Sequence, residues 1–237
     1  MQLTCDSSII RYDKKLNRPF NLYKDQPDCQ PMHEWQSYHF PTCNIVHERP
    51  LIEKEEGKYL AAGWWRHTFQ LHDYGSNDRI AMKILRTNRS FSANLMEKHR
   101  VDSLIYERLT SSPFVMDIYG HCGYSGVFEF SYGGKLEDLI LYRKDRGEKP
   151  LSSVDKLSLA VEVASGVADL HTMESRNGYS AMVHGDLHAN QFVRSGGKYR
   201  YKLNDFNNGH LIYWNRRKHE SCPFYWPNPG NVSRFTI

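Results

Sequence analysis

Cysteines are few in this chain, and none is closely paired with another. Five occur in 237 residues (Cys5, Cys29, Cys43, Cys122 and Cys222), without a C-x-x-C among them. That spacing argues against a zinc site, and an odd count cannot pair completely within one chain. No apolar run approaches the roughly twenty residues of a bilayer span, and the polar start MQLTCDSSIIRYDKK has no signal-peptide core. No membrane segment is therefore expected. A dense Lys/Arg block is also missing; the net charge is only +4, so no nucleic-acid partner is expected. Internal repeats and low-complexity tracts are absent. Two Asn-x-Ser/Thr sequons, at Asn88 and Asn231, matter only in a secretory compartment. The compartment stays open.

Enough is present to build a core. With 40% apolar residues, the chain can bury one respectable core, as a single large domain or two small lobes. Residues 1–55 are polar and are interrupted by Pro19, Pro27, Pro31, Pro41 and Pro50. They read as an extension that packs partly on the rest of the chain, with PTCNIVHE (41–48) as its ordered piece. From Lys58 the pattern turns strand-like. KYLAAGWWRHTFQLHDYG, a turn at Ser76-Asn77-Asp78 and RIAMKILR predict an antiparallel hairpin. Residues 93–109 place Leu95, Val101, Leu104, Ile105 and Leu109 at helical spacing. FVMDIYGHC and GVFEF read as further strands. Ser152-x-x-Asp155 is a capping-box-like signature, and Val154, Leu157, Val161, Ala164 and Ala168 are expected as the buried stripe of the helix behind it.

Three short stretches carry candidate chemistry. Lys83 lies in AMKIL, twenty residues after Gly63; His184 and Asp186 lie in MVHGDLHANQFVR; Asp205 follows in YKLNDFNNG, twenty-one residues after His184. The combination resembles the eukaryotic protein-kinase-like family over roughly residues 57–230. AMKIL is similar to the V-A-I-K strand, HGDLHANQ to the H-R-D-L loop and DFN to the D-F-G metal motif. VFEF (127–130) lies between them and looks like the hinge; each motif alone is common, but four in the right order at compatible spacings are not.

The resemblance implies an α+β, two-lobed fold. A β-rich N-lobe over 56–130 would precede a partial, mainly helical C-lobe over 131–237, behind the extension 1–55. It implies ATP and Mg²⁺ as cofactors and a protein as substrate or partner. Lys83 would grip the α- and β-phosphates, and family spacing puts Asp102 on the helix as its acidic partner, with Glu97 and Glu107 as alternatives. Asp102 replaces the usual Glu and is one methylene shorter. Gly63, Phe128 and Glu129 would line the ATP site, with Phe128 at its back. Asp186 would accept or orient the proton of the attacking hydroxyl, while His184 organises its loop. Asp205 would bind Mg²⁺ through its carboxylate, because hard cations prefer oxygen ligands.

The chain also departs from the pattern. Gln191 stands where the second metal ligand is usually Asn. Asn207 replaces the Gly after Asp-Phe, as a residue that tolerates left-handed backbone. Ala61 and Arg66 stand where glycines would flank Gly63, and Arg66 is a candidate to compensate. After NPG no A-P-E-like anchor follows, so the resemblance implies an incomplete C-terminal lobe. Two alternatives stay open. One is a pseudokinase that binds partners with little or no turnover. The other is a small-molecule kinase, because HGDLH is also similar to the motif of aminoglycoside and choline phosphotransferases.

Overall fold

The computed structural model describes residues 28–38, 42–44, 57–73, 76–141, 147, 149–195 and 201–222. Parts of the extension (1–27, 39–41 and 45–55) and of the expected activation segment (223–230) lie outside the described residues, as does most of PTCNIVHE. The fold is mixed α+β, with several antiparallel sheets and few helices.

A five-stranded antiparallel sheet comes first, in the order β2-β3-β4-β6-β5. Its strands are β2 (Lys58–Ala62), β3 (Arg66–Asp73), β4 (Asp78–Leu85), β5 (Ile118–Cys122) and β6 (Ser125–Glu129). The expected hairpin is β3–β4, paired from Arg66↔Leu85 to Asp73↔Asp78. Asn77 takes the left-handed turn position (φ 58°), which Asn accepts more readily than most residues. Ile80, Ala81 and Met82 are all buried because both faces of β4 are covered. Ile80 and Met82 join Leu71 and Val127 on one side, while Ala81 belongs to the main core on the other.

Helix α2 (Ala93–Arg108) crosses that core side. Ser92 caps it, accepting the Leu95 N–H on its hydroxyl at 3.2 Å. Leu95, Val101, Leu104, Ile105 and Leu109 are all buried, as their spacing predicts. The helix buries polar groups too, among them His99, Asp102 and Ser103. Periodicity of apolar residues gives no sign of that.

The remainder is less helical than expected. It contains α3 (Leu136–Leu141) and α4 (Ser153–Thr172), but also seven short strands from β7 (Ser131–Lys135) to β13 (Glu220–Ser221). The Ser152–Asp155 capping box forms at the start of α4. The buried face of α4 is the opposite of the one expected. Val154, Leu157 and Val161 are 77%, 68% and 55% exposed, and Ala164 and Ala168 are exposed with them. Leu159, Gly166 and Leu170 face inward, with Val163 and Val167 packed beside them. The helix carries two apolar stripes, and Gly166 decides between them. A Cβ there would lie 2.9 Å from the Phe114 carbonyl oxygen, so that face alone lets the backbones approach.

The N-terminal segment is built into the body. Strand β1 (Cys29–Pro31) pairs with β12 (Tyr213–Asn215), and Cys29 is disulfide-bonded to Cys222. After β1, in the short helix α1 (Trp35–Tyr38), the fully buried Gln36 donates to the carbonyls of Ala181 and Ile212. A second disulfide ties Cys43 to Cys122 at the end of β5. Among the described residues no helix is long and apolar enough to cross a membrane.

Candidate functional site

The HGDLHANQF stretch leaves β8 (Met182–Val183), loops, and enters β9 (Phe192–Ser195) through a single 3₁₀ turn, Ala189–Gln191. Gly185 has φ 73°, where a side chain would strain the backbone. His184 is buried. Its Nε2 lies 3.0 Å from the Asn204 carbonyl and its Nδ1 lies 3.3 Å from the Asp186 N–H. A carbonyl only accepts and an amide only donates, so the ring is the neutral tautomer protonated on Nε2. Burial pushes its pKa down, in keeping with a neutral ring. His184 thus organises the loop around Asp186. The Asp186 carboxylate takes Oδ2 contacts from the Gln191 and Asn208 amides, each at 3.3 Å.

YKLNDFNNG is fixed from the opposite side by Tyr106 of α2. The buried phenol donates to Asn204 Oδ1 at 2.6 Å and accepts the Asp205 N–H at 2.6 Å. That second bond holds Asp205 at φ 65°, a left-handed conformation costing about 1–3 kcal/mol in a non-glycine residue. The left-handed position is therefore Asp205 itself and not Asn207. Phe206 is fully buried, edge-on to Tyr106 (4.7 Å between centroids) and 5.0 Å from His184. Tyr106 in turn lies 5.0 Å from Phe128 of β6. Four rings run from the sheet to the loop and place Asp205 and Asp186 on one aromatic support. Lys98 of α2 adds a polar tie, donating to Asn208 Oδ1 at 3.0 Å while Asn208 reaches Asp186.

Lys83 does not pair with Asp102. Asp102 is completely buried, and its Oδ2 lies 2.5 Å from Nη2 of Arg66, the first residue of β3. An Asp cannot extend as far from the helix as a Glu, whereas the Arg side chain is long enough to reach it. Lys83 lies with Nζ 4.7 Å from the Phe128 ring centroid and 3.4 Å from Asn204 Oδ1. Among the described residues it makes no salt bridge. Burial pushes its pKa down, and Asp205 is the strongest opposing influence. Burial also opposes the Arg66 charge, but Asp102 and Asp205 outweigh it and hold that pKa above its usual value. The other helix candidates are engaged elsewhere: Glu97 binds Arg100, and Glu107 lies 4.0 Å from Arg108.

The Arg66–Asp102 pair makes a stability prediction. Asp102→Ala leaves a buried guanidinium without its counter-charge, which costs about 3–5 kcal/mol. Urea unfolding should show a loss of that size. A loss below about 1 kcal/mol is the value of a solvated surface pair and would contradict the burial described here.

The remaining expected site residues fall into two groups. Phe128 is buried behind Lys83, whereas Gly63 is exposed in the turn between β2 and β3. The Gly63 N–H donates to the Arg66 carbonyl at 2.8 Å, and Arg86 donates to the Gly63 carbonyl at 3.1 Å. Its backbone groups are thus engaged within the turn. Glu129 is committed to bracing. Lys202 of β10 (Tyr201–Leu203), at 2.7 Å, and Ser195 of β9, at 2.9 Å, donate to its carboxylate.

For a metal, the donor set is small. Among the described residues, no group of three or more His, Cys, Asp or Glu side chains is arranged to hold one. Mg²⁺ at nucleotide sites needs less: one or two carboxylates plus phosphate oxygens and water. No hydrogen bond from a described residue ends on the Asp205 carboxylate, nor on the Gln191 amide oxygen. Those free oxygens fit such a set. A scan against protein-family models finds none that matches the chain. Tyr106, Asn204, Asn208 and Lys98 are site residues that the sequence reading did not single out. Tyr106 had one available signal, a hydroxyl inside the apolar stripe of α2.

Proposed function

We propose that the chain is an ATP- and Mg²⁺-dependent phosphotransferase of the protein-kinase type. In this reading the five-stranded sheet with α2 is the N-lobe, and the part after Phe130 belongs to the C-lobe. The observation that carries it is the convergence of Lys83, Asp186 and Asp205 on one aromatic support, from three separate stretches of sequence. Phosphoryl transfer requires phosphates held still and developing charge neutralised more than it requires covalent chemistry.

The residues divide that work. Asp186, with a 38% exposed side chain, is positioned by Gln191 and Asn208 to accept a hydrogen bond from an incoming protein hydroxyl. Lys83 offers an ammonium whose charge no salt bridge from a described residue consumes. When bound, Mg²⁺ supplies charge neutralisation at the phosphates, with Asp205 and the Gln191 amide oxygen as its protein ligands. His184 and Tyr106 keep the two aspartates in place.

A second reading is nucleotide binding with little turnover. It is favoured by the pairing of Asp102 with Arg66 instead of Lys83, and by the engaged backbone of Gly63.

Thermal unfolding tests the shared nucleotide step. ATP with Mg²⁺ at about a hundred times its dissociation constant contributes about 2.7 kcal/mol. For a chain of this size that raises Tm by about 5–10 °C. A smaller rise is expected with EDTA present. No rise at any ATP concentration would remove the nucleotide reading, and equal rises with and without Mg²⁺ would remove Asp205 and Gln191 from the metal role.

A further inference from the structure

The Arg66–Asp102 pair is joined by one hydrogen bond and leaves one atom on each side without a partner among the described residues. Arg66 is 4% exposed and Asp102 fully buried, yet among the described residues Arg66 Nη1 and Asp102 Oδ1 have no hydrogen-bond partner. Buried polar atoms are nearly always satisfied, so an orphaned guanidinium nitrogen calls for an explanation, and a ligand acceptor is one. Its surroundings say what. The Arg66 Cζ lies 5.8 Å from the centroid of the Phe128 ring, which Lys83 Nζ also faces at 4.7 Å. The two cations thus stand at one ring, on adjacent strands, and Asp205 acts on both. Two positive charges at one ring repel each other; Asp102 and Asp205 offset part of that, and the phosphate groups of a nucleotide are anions able to offset the rest.

We infer that Arg66 is a phosphate-binding residue of the nucleotide site, held for that purpose by Asp102. This rests on the nucleotide reading above and deepens it. The guanidinium is a planar fork that binds carboxylate and phosphate oxygens through two edges. Asp102 occupies Nη2 and fixes the plane, and Nη1 remains for a phosphate oxygen. Lys83, freed from the helix acid, binds as a second point charge. The arrangement also answers the thin glycine turn. The Gly63 amide is taken by the Arg66 carbonyl, so a side-chain cation replaces a backbone donor in holding phosphate. The site is therefore selective for nucleoside di- and triphosphates over nucleosides.

The test compares Mg-ATP and adenosine binding, by calorimetry, in the wild-type chain and in an Arg66→Met/Asp102→Leu double variant. Replacing both partners strands no charge, so the fold has its best chance of surviving. Arg66→Gln is the second variant, because it keeps a donor for Asp102 but loses the charged fork. The expected result in either variant is a loss of ATP affinity of about ten- to a hundred-fold, the range for one charge-assisted hydrogen bond, with adenosine affinity unchanged. Unchanged ATP affinity would overturn the assignment while leaving the nucleotide site standing. Parallel losses for ATP and adenosine would overturn it too, since they report a change in pocket shape. A wild-type chain that binds neither ligand removes the nucleotide reading and this inference with it.

Discussion

Cys222→Ala is expected to lower the stability of the folded chain by up to about 5 kcal/mol, the largest effect foreseen for any single substitution in it. The Cys29–Cys222 bridge closes a loop over a sequence separation of 193. In the chain-entropy treatment, a bridge over that length removes about 5 kcal/mol of freedom from the unfolded chain. Both half-cystines are buried, with Tyr213 packed against them. The bridge also anchors β1, the strand that leads into Met32 and Gln36, both buried. Losing it therefore loosens the pairing with β12, the Gln36 bonds to Ala181 and Ile212, and the Arg100 bond from α2 to the Gln36 carbonyl together. The Cys43–Cys122 bridge, with a separation of 79, is worth slightly less by the same treatment, about 4.5 kcal/mol. Urea unfolding with and without reductant, with free thiols counted, checks both values. An unchanged midpoint in chains shown to be fully reduced would contradict the role given to the bridges. Stability that depends on these bonds also depends on the redox state of the surroundings, because reducing conditions open them.

Parts of this architecture were legible in the sequence for physical reasons that can be named. The β3–β4 hairpin was visible because two apolar runs flank a Ser-Asn-Asp turn, and Asn77 does take the left-handed position. The start of α4 was visible because a capping box is a local device, complete within four residues. The buried stripe of α2 was visible because its apolar positions recur at helical spacing.

What escaped depended on contacts distant in sequence. Two apolar stripes run along α4, and periodicity cannot tell which one meets the core; Gly166 carried that information through its close approach to Phe114. The disulfide partners are 193 and 79 residues apart and obey no spacing rule. The partner of Asp102 was misplaced for a similar reason. The family resemblance implied Lys83, with Glu97 and Glu107 as alternative acids, but the shorter acid meets an arginine that enters from the neighbouring strand. The candidate site residues Asp186, Asp205 and Phe128 were singled out by the family resemblance, whereas Tyr106, which hydrogen-bonds Asn204 and Asp205, belongs to none of its motifs.

The central claim is that Asp186 positions a hydroxyl for phosphoryl transfer, and one measurement tests it most directly. Purified chain and its Asp186→Asn variant are incubated with labelled ATP and Mg²⁺, with a generic protein substrate present, while ATP binding is followed in parallel. Asp186→Asn keeps an oxygen that accepts from the Gln191 and Asn208 amides, and Asp186 bonds neither Lys83 nor Arg66, so the substitution leaves the groups expected to hold nucleotide in place. A residue acting on the nucleophile contributes typically a hundred- to ten-thousand-fold to the rate, about 3–5 kcal/mol of barrier. The account predicts slow transfer to protein by the wild-type chain, a loss of that size in Asp186→Asn, and ATP affinity unchanged within about two-fold. Binding without transfer would favour the pseudokinase reading, and transfer only to small alcohols or sugars would favour a small-molecule kinase. Transfer to protein that survives Asp186→Asn at the wild-type rate would contradict the mechanism outright.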